Sequence, residues 1–417
     1  MLNVIVVNQR GAARLKAGHL WVYRSDIASG DAKPGSLVEV HDERGRRLGS
    51  ALYSSSSQIA IRLLTSEPLT ESALPQLIRD RIAAAVRFRQ ANARDTDSYR
   101  VIFSEGDLLP GLIVDRYNDV LTMQILTQAF DREELRGAVV DSLAEHFPEA
   151  SLIERVDRHI RELEQLPARE SQILVARSHL SSESASKEVP RSSPDSGPGR
   201  AQTIFTFNGV RFHFDALGGQ KTGAFLDQRE NYAAAARYAH GQALDCFTYQ
   251  GGFALHLARV CDHVAAVDSS RPALEVAEQN EQLNGEHHRS GEIEWTEANA
   301  FDLLKDYATA ARQYDTIVLD PPAFAKSKRA VDTALRGYKE LNLRALKMLR
   351  PGGVLVTCSC SFHVSEGEFL EMLGSAAADA GRRVRILEKR GAAIDHPVLL
   401  NMPETAYLKC LICRVEV

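Results

Sequence analysis

The chain has 417 residues, 44% hydrophobic and 25% charged, with a formal net charge of −5 at neutral pH. That length divides into two or three cores rather than one, and the mild acidity excludes a general polycation that coats nucleic acid, so any RNA contact must come from local patches. The opening MLNVIVVNQRGAARLKAGH holds an apolar run too short for a bilayer and without the order of a secretory signal, which predicts a cytoplasmic protein with no membrane partner.

Residues 1–68 read as a small, mostly β unit. Turns at Pro34-Gly35 and Arg44-Gly45 precede SLVEV and RLGSALY, and QIAIRLL alternates from Gln58. In this unit Arg14, Lys16, His19 and Arg24 interleave with Trp21 and Tyr23, the cations and flat rings that looped RNA requires. Trp21 and Tyr23 equally suit strand positions packed on a small core; Trp21 alone reads as core, the basic cluster as RNA-binding. An exposed strand here could support a homodimer, though no residue demands one.

Residues 69–177 read as a central α+β unit. A helix over 69–94 lines up Leu74, Leu77, Ile78, Ile82 and Val86 on one face. Strands YRVIFSE, LPGLIVDRY and DVLTMQIL follow, then a helix over 131–147. The stretch 178–202 is rich in Ser, Pro and Gly and has almost nothing to bury, so it is expected to be a flexible linker or insertion.

From 203 to 417 β-branched apolar strands alternate with helices: ALDCF, HVAAVD, IEW, YDTIVLD, GGVLVTCSC, RRVRIL and AYLKCLICRV. Such alternation specifies an α/β domain whose parallel sheet is covered on both faces. Asp245, Phe247 and Gly251 belong to the turn from its first strand to its first helix, where glycine lets a ligand approach the backbone. Asp268 ends the second strand, where a carboxylate can accept both hydroxyls of an adenosine ribose. Ser269 or Ser270, before Pro272, caps the next helix. Asn299, just past the third strand, is placed to meet an adenine amine. Taken in order on consecutive strands, these residues favour a nucleoside cofactor over ordinary turns and caps.

The fourth strand runs into Asp320-Pro321-Pro322-Ala323-Phe324, which fixes a carboxylate and an aromatic ring at a strand end. A flat base stacked on Phe324 and hydrogen-bonded by Asp320 fits this arrangement. The fifth strand ends in Cys358-Ser359-Cys360-Ser361. A thiolate at Cys360 could add to carbon 6 of a pyrimidine and make carbon 5 nucleophilic; Cys358 should lie deeper and be structural. The competing reading makes both small buried hydrophobes.

All six cysteines, Cys246, Cys261, Cys358, Cys360, Cys410 and Cys413, read as reduced thiols. Cys410 and Cys413 have the spacing of half a zinc site but read as buried strand residues, so no metal is expected. A second basic patch, Lys326, Lys328, Arg329, Arg336 and Lys339, could hold phosphates beside a flipped nucleotide.

GHLWVYRSDI at 18–27, SQIAIRLL at 57–64, LPGLIVDRYNDV at 109–120, KTGAFLDQREN at 221–231, LDPPAFAKSK at 319–328, SCS at 359–361 and DHPV at 395–398 resemble the RlmI-type family of large-subunit ribosomal RNA cytosine-5 methyltransferases, over nearly the whole chain. The resemblance implies a PUA-like first domain, a central α+β domain and a Rossmann-like class I methyltransferase domain with an antiparallel seventh strand. It implies S-adenosylmethionine as cofactor, Cys360 as nucleophile, and Gln228 and Arg229 closing the site over the amino acid end of the cofactor. Better-known RNA cytosine-5 enzymes carry a Cys after the proline of the fourth-strand motif. This chain has Pro322-Ala323-Phe324 there, so the base that removes the carbon 5 proton is unassigned. Methylation of another base, or a non-catalytic ribosome-assembly role, are the competing expectations.

Overall fold

The computed structural model describes residues 2–176, 201–218, 224–289, 291–325 and 327–416. The Ser/Pro-rich stretch expected at 178–202 therefore lies outside the described residues, its last two excepted. The chain divides into two compact units. One comprises Met1–Phe205, Phe214–Gly223 and Pro397–Thr405, the other Thr206–His213, Ala224–His396 and Ala406–Val417.

The first unit contains two sheets. Six strands run in the order Trp21–Tyr23, Ile59–Thr65, Arg47–Tyr53, Leu37–Asp42, Asn3–Val7, Ile27–Ser29, and five in the order Gln172–Val175, Ser151–Glu154, Val120–Ile125, Leu112–Tyr117, Ser98–Phe103. The helix Leu74–Asn92 buries Leu74, Ile78, Ile82 and Val86, the face expected from its 3.6-residue spacing. Leu37, Leu52 and Leu64 of the first sheet join the core built on that helix, so the two N-terminal modules share apolar contacts. The mostly β reading of residues 1–68 omitted a helix, Gln9–Lys16. Asn8 caps it by accepting from the Gly11 N–H at 3.0 Å, a local signal that a short, polar segment hides.

The second unit is an open sheet whose strands we number β1 Gln242–Cys246, β2 His263–Asp268, β3 Glu294–Glu297, β4 Tyr314–Leu319, β5 Leu349–Ser359, β6 Val384–Arg390 and β7 Lys409–Val415. Their order is β3-β2-β1-β4-β5-β7-β6. Neighbours from β3 to β5 are parallel, whereas β7 runs antiparallel to both β5 and β6. The strand order reverses between β1 and β4, so their carboxyl ends open a crevice of the kind that binds ligands in such sheets.

Six helices cover the faces: α1 Arg229–Tyr238, α2 Gly252–Leu257, α3 Arg271–Asn284, α4 Ala300–Thr309, α5 Val331–Met348 and α6 Glu366–Asp379. The core joins Leu244, Val267, Ile317 and Leu355 of the strands to Tyr338 of α5 and Phe369 of α6. Ser365 and Glu368 form a reciprocal capping box that starts α6 just past the end of β5.

Candidate active site

Between β1 and α2 the chain coils tightly. Phe247 and Tyr249 hold φ at 67° and 52°, and Gly251 at 85°. Left-handed conformations at two non-glycine residues persist only where their surroundings enforce them. Gly251 needs its missing side chain twice, for its φ and because a Cβ would stand 2.9 Å from the Trp295 ring.

Two carboxylates brace this turn. Asp245, fully buried, accepts from Thr248 Oγ1 at 2.6 Å and the Ala254 N–H at 3.0 Å through Oδ2. Its Oδ1 has no partner among the described residues, and burial pushes the carboxyl up to about 7. Asp268 accepts from the Tyr249 N–H through Oδ2 and from the Ser270 N–H through Oδ1, both at 2.9 Å.

Ser270 is the residue that caps α3, and Ser269 stands exposed beside it. Asn299 caps α4: the oxygen expected to meet an adenine amine accepts from the N–H groups of Phe301 at 2.9 Å and Asp302 at 3.4 Å. A glycine-opened turn, a strand-end carboxylate and a buried carboxylate oxygen without a partner fit a nucleoside cofactor.

Gln228 and Arg229 are both buried where the turn Leu226–Gln228 enters α1. Gln228 accepts from Asn231 at 2.6 Å, and Arg229 lies 3.4 Å from the buried Asp395 and from Glu230. Lys221, Thr222 and Gly223 of the same motif lie outside the described residues. Asp227, which nothing local in the sequence marks, accepts from the Tyr407 hydroxyl.

Asp320 follows β4 directly. Burial, then the nearby charges of Asp227 and Asp245, push its carboxyl up to about 8, so it is protonated at neutral pH. Phe324 is partly buried, its ring centroid 4.7 Å from that of Tyr338 and 5.8 Å from that of Phe301.

Cys358 is fully buried on β5, opposite Cys410 of β7. Cys360 emerges one residue past the strand, half-buried, with Sγ 3.9 Å from the Pro321 carbonyl oxygen; the other five cysteines are buried. Its thiol therefore lies against the Asp320-Pro321 loop rather than inside the sheet.

A buried hydroxyl chain fixes this pairing of strand ends. Ser359 donates to the Tyr338 hydroxyl at 3.0 Å, that hydroxyl meets Ser361 Oγ at 2.9 Å, and Ser361 Oγ accepts from the Ala325 N–H at 3.1 Å. Tyr338→Phe is expected to lower unfolding stability by about 1–2 kcal/mol in a denaturant titration, because it takes one hydrogen-bond partner from each of two buried serine hydroxyls.

The N-terminal cations all have structural partners. Arg14 pairs with Asp26 at 2.7 Å, Lys16 with Asp42 at 3.2 Å, and Arg24 donates to the carbonyls of Ser54 at 2.6 Å and Ser57 at 3.1 Å. Trp21 donates its indole N–H to Glu105 at 2.8 Å. Of the second patch, Lys339 pairs with Asp379 at 2.6 Å. Lys328 and Arg329 are exposed and in no ion pair among the described residues, and Lys326 lies outside them.

The sequence matches a PUA-like domain over residues 5–66 and an S-adenosylmethionine-dependent methyltransferase domain over residues 137–413. It is 35% identical over 403 residues, 95% of each chain, to ribosomal RNA large subunit methyltransferase I of Serratia proteamaculans. It is 37% identical over 409 residues, 96% of each chain, to the protein of the same name from Photobacterium profundum. The chain belongs to this family of S-adenosylmethionine-dependent methyltransferases.

The solved structure of an S-adenosylmethionine-dependent methyltransferase from Streptococcus mutans shares the fold. Its TM-score is 0.78 at 18% identity, covering 100% of both chains. A methyltransferase complexed with SAH gives the same values. S-adenosylmethionine is the cofactor of this family member, as the match to the S-adenosylmethionine-dependent methyltransferase domain gives. Asp268→Asn is expected to raise its Kd about 10- to 100-fold in titration calorimetry, since hydrogen bonds to a charged acceptor are worth about 1.5–3 kcal/mol. Unchanged affinity would remove Asp268 from the site.

Proposed function

We propose that this protein methylates carbon 5 of a cytosine in large-subunit ribosomal RNA, with Cys360 as the nucleophile. The observation that carries the reading is the half-buried Cys360 thiol at the end of β5, with Sγ 3.9 Å from the carbonyl of Pro321 beside Asp320. The names of the relatives, ribosomal RNA large subunit methyltransferase I, support the substrate class.

S-adenosylmethionine, when bound, supplies an electrophilic methyl group. Neutral Asp320 donates a hydrogen bond to the cytosine ring and draws electrons from carbon 6. Cys360 loses its proton and its sulfur bonds to carbon 6, leaving carbon 5 electron-rich and able to take the methyl group. Loss of the carbon 5 proton to a base then expels the sulfur and restores the aromatic ring. Gln228, Arg229, Asp245, Phe247, Gly251, Asp268, Ser269 and Asn299 form the cofactor side, and Phe324 supports the base. Lys328 and Lys326 serve the RNA backbone, and Lys328 has the stronger support because it is exposed and in no ion pair among the described residues, whereas Arg14, Lys16 and Arg24 are held by structural partners.

The test is nucleoside mass spectrometry of ribosomal RNA incubated with enzyme and cofactor carrying a labelled methyl group. The label is expected on 5-methylcytidine; label on an exocyclic amine or a ring nitrogen would overturn the reading.

A further inference from the structure

Lys409, the first residue of β7, is only 7% exposed. Its Nζ donates to the Ser361 carbonyl at 2.7 Å and the Tyr407 carbonyl at 2.8 Å, and it forms no salt bridge among the described residues. A buried ammonium held only by carbonyl dipoles is costly, because such charges ordinarily carry an anionic partner. The missing anion has an obvious source, since Ser361 directly follows Cys360. Burial first, then Asp320 and Asp227, push the thiol up to about 11, and Lys409 pulls it down. Around Lys409 the acting groups are Cys360 and Glu368, while burial brings the ammonium down to about 8. At neutral pH the lysine is thus still a cation, and the thiol, which burial above all holds protonated, is still neutral.

We propose that Lys409 is a positioning residue for methyl transfer: its ammonium anchors the Cys360-Ser361 loop through the Ser361 carbonyl and becomes the counter-ion of the Cys360 thiolate when the thiol ionises. The proton leaves to solvent water, sulfur keeps the electron pair, and the lysine keeps its own proton. The inference rests on Cys360 being the nucleophile.

The readout is alkylation of Cys360 by iodoacetamide at pH 7.5, followed by peptide mass spectrometry on the full-length protein without RNA; the other five cysteines are buried. Lys409→Gln keeps hydrogen-bond donors but loses the charge, and Lys409→Met loses both. Each is expected to slow alkylation about tenfold, the effect of one pH unit on thiolate population. Lys409→Arg is expected to restore most of the rate. In methyl transfer the neutral variants lower kcat while KM for RNA changes less than about twofold.

S-adenosylmethionine affinity serves as the folding control. Where Lys409→Met does not fold, the Gln and Arg variants decide the matter. Wild-type alkylation rates in a folded neutral variant, or equal rates in the Gln and Arg variants, overturn the proposal. Failure of the nucleophile reading shows separately, as methyl transfer to cytosine that survives Cys360→Ala.

Discussion

Cys360→Ala is expected to abolish methyl transfer, lowering kcat by about 10⁴-fold or more, while the Kd for S-adenosylmethionine stays within about twofold. The size follows from the chemistry. Without sulfur on carbon 6, carbon 5 of cytosine is too poor a nucleophile to attack a methyl group, and no neighbouring thiol can substitute, since Cys358 is fully buried. Intact cofactor binding is expected because Cys360 belongs to the end of β5, whereas the cofactor-side carboxylates come from β1 and β2. Measured by transfer of labelled methyl groups to RNA, near-normal turnover in this variant would instead indicate transfer to a nitrogen, for which no covalent adduct is needed.

The second large effect concerns Asp320 and is a change in the shape of a pH profile. A thiol with its pKa near 11 makes the wild-type rate rise tenfold per pH unit as thiolate accumulates. The neutral Asp320 carboxyl is lost above about 8, so the rising limb flattens there and stays level towards 11. Asp320→Asn keeps a hydrogen-bond donor but cannot ionise, so its rate continues to climb past pH 8, from a level about 10- to 100-fold lower at pH 7 because an amide is a weaker proton donor. Single-turnover rates between pH 6 and 10 check this in a Lys409→Arg background, because Lys409 itself titrates at about 8; a break at pH 8 that persists in the Asn variant there would remove Asp320 from the proton-donor role.

The same carboxyls affect stability with a defined sign. Asp245 and Asp320 have raised folded-state values, about 7 and about 8, against about 3.9 for an unfolded Asp. Across that window the folded chain holds protons that the unfolded chain has released, so these two groups make stability fall as pH rises from about 4 to 8.

The parts of the molecule legible in the sequence are those carried by strong period or chain punctuation. The strands that lead to Asp268, Asp320 and Cys360 are apolar runs that stop at or just before polar residues, and the helix Leu74–Asn92 repeats its apolar face over five turns. What escaped was set by distance in sequence. The helix α4 carries no start signal in AFDLLKDYAT strong enough to show that Asn299 caps it. Arg14 and Lys16 looked unpaired because Asp26 and Asp42 lie 12 and 26 residues away. Nothing in the run AYLKCLICRV sets Lys409 apart, and only the pairing of Ser359 with Lys409 across β5 and β7 brings its ammonium to the Cys360 loop. Asp227 sat one residue before the pair chosen for the cofactor, with nothing local to mark its meeting with Tyr407.

The position of β7 between β5 and β6 has a consequence for biosynthesis. As the polypeptide is made, β6 emerges before the strand that must separate it from β5, so it has no ladder to join until residues 409–415 follow. During that interval the rim of β5 that carries Cys358 is uncovered, and the Ser361 carbonyl lacks the ammonium that β7 brings to it. Sheet closure and the anchoring of the loop after β5 are therefore one event, and a nascent chain halted before Lys409 would hold that loop unanchored on an unfinished sheet.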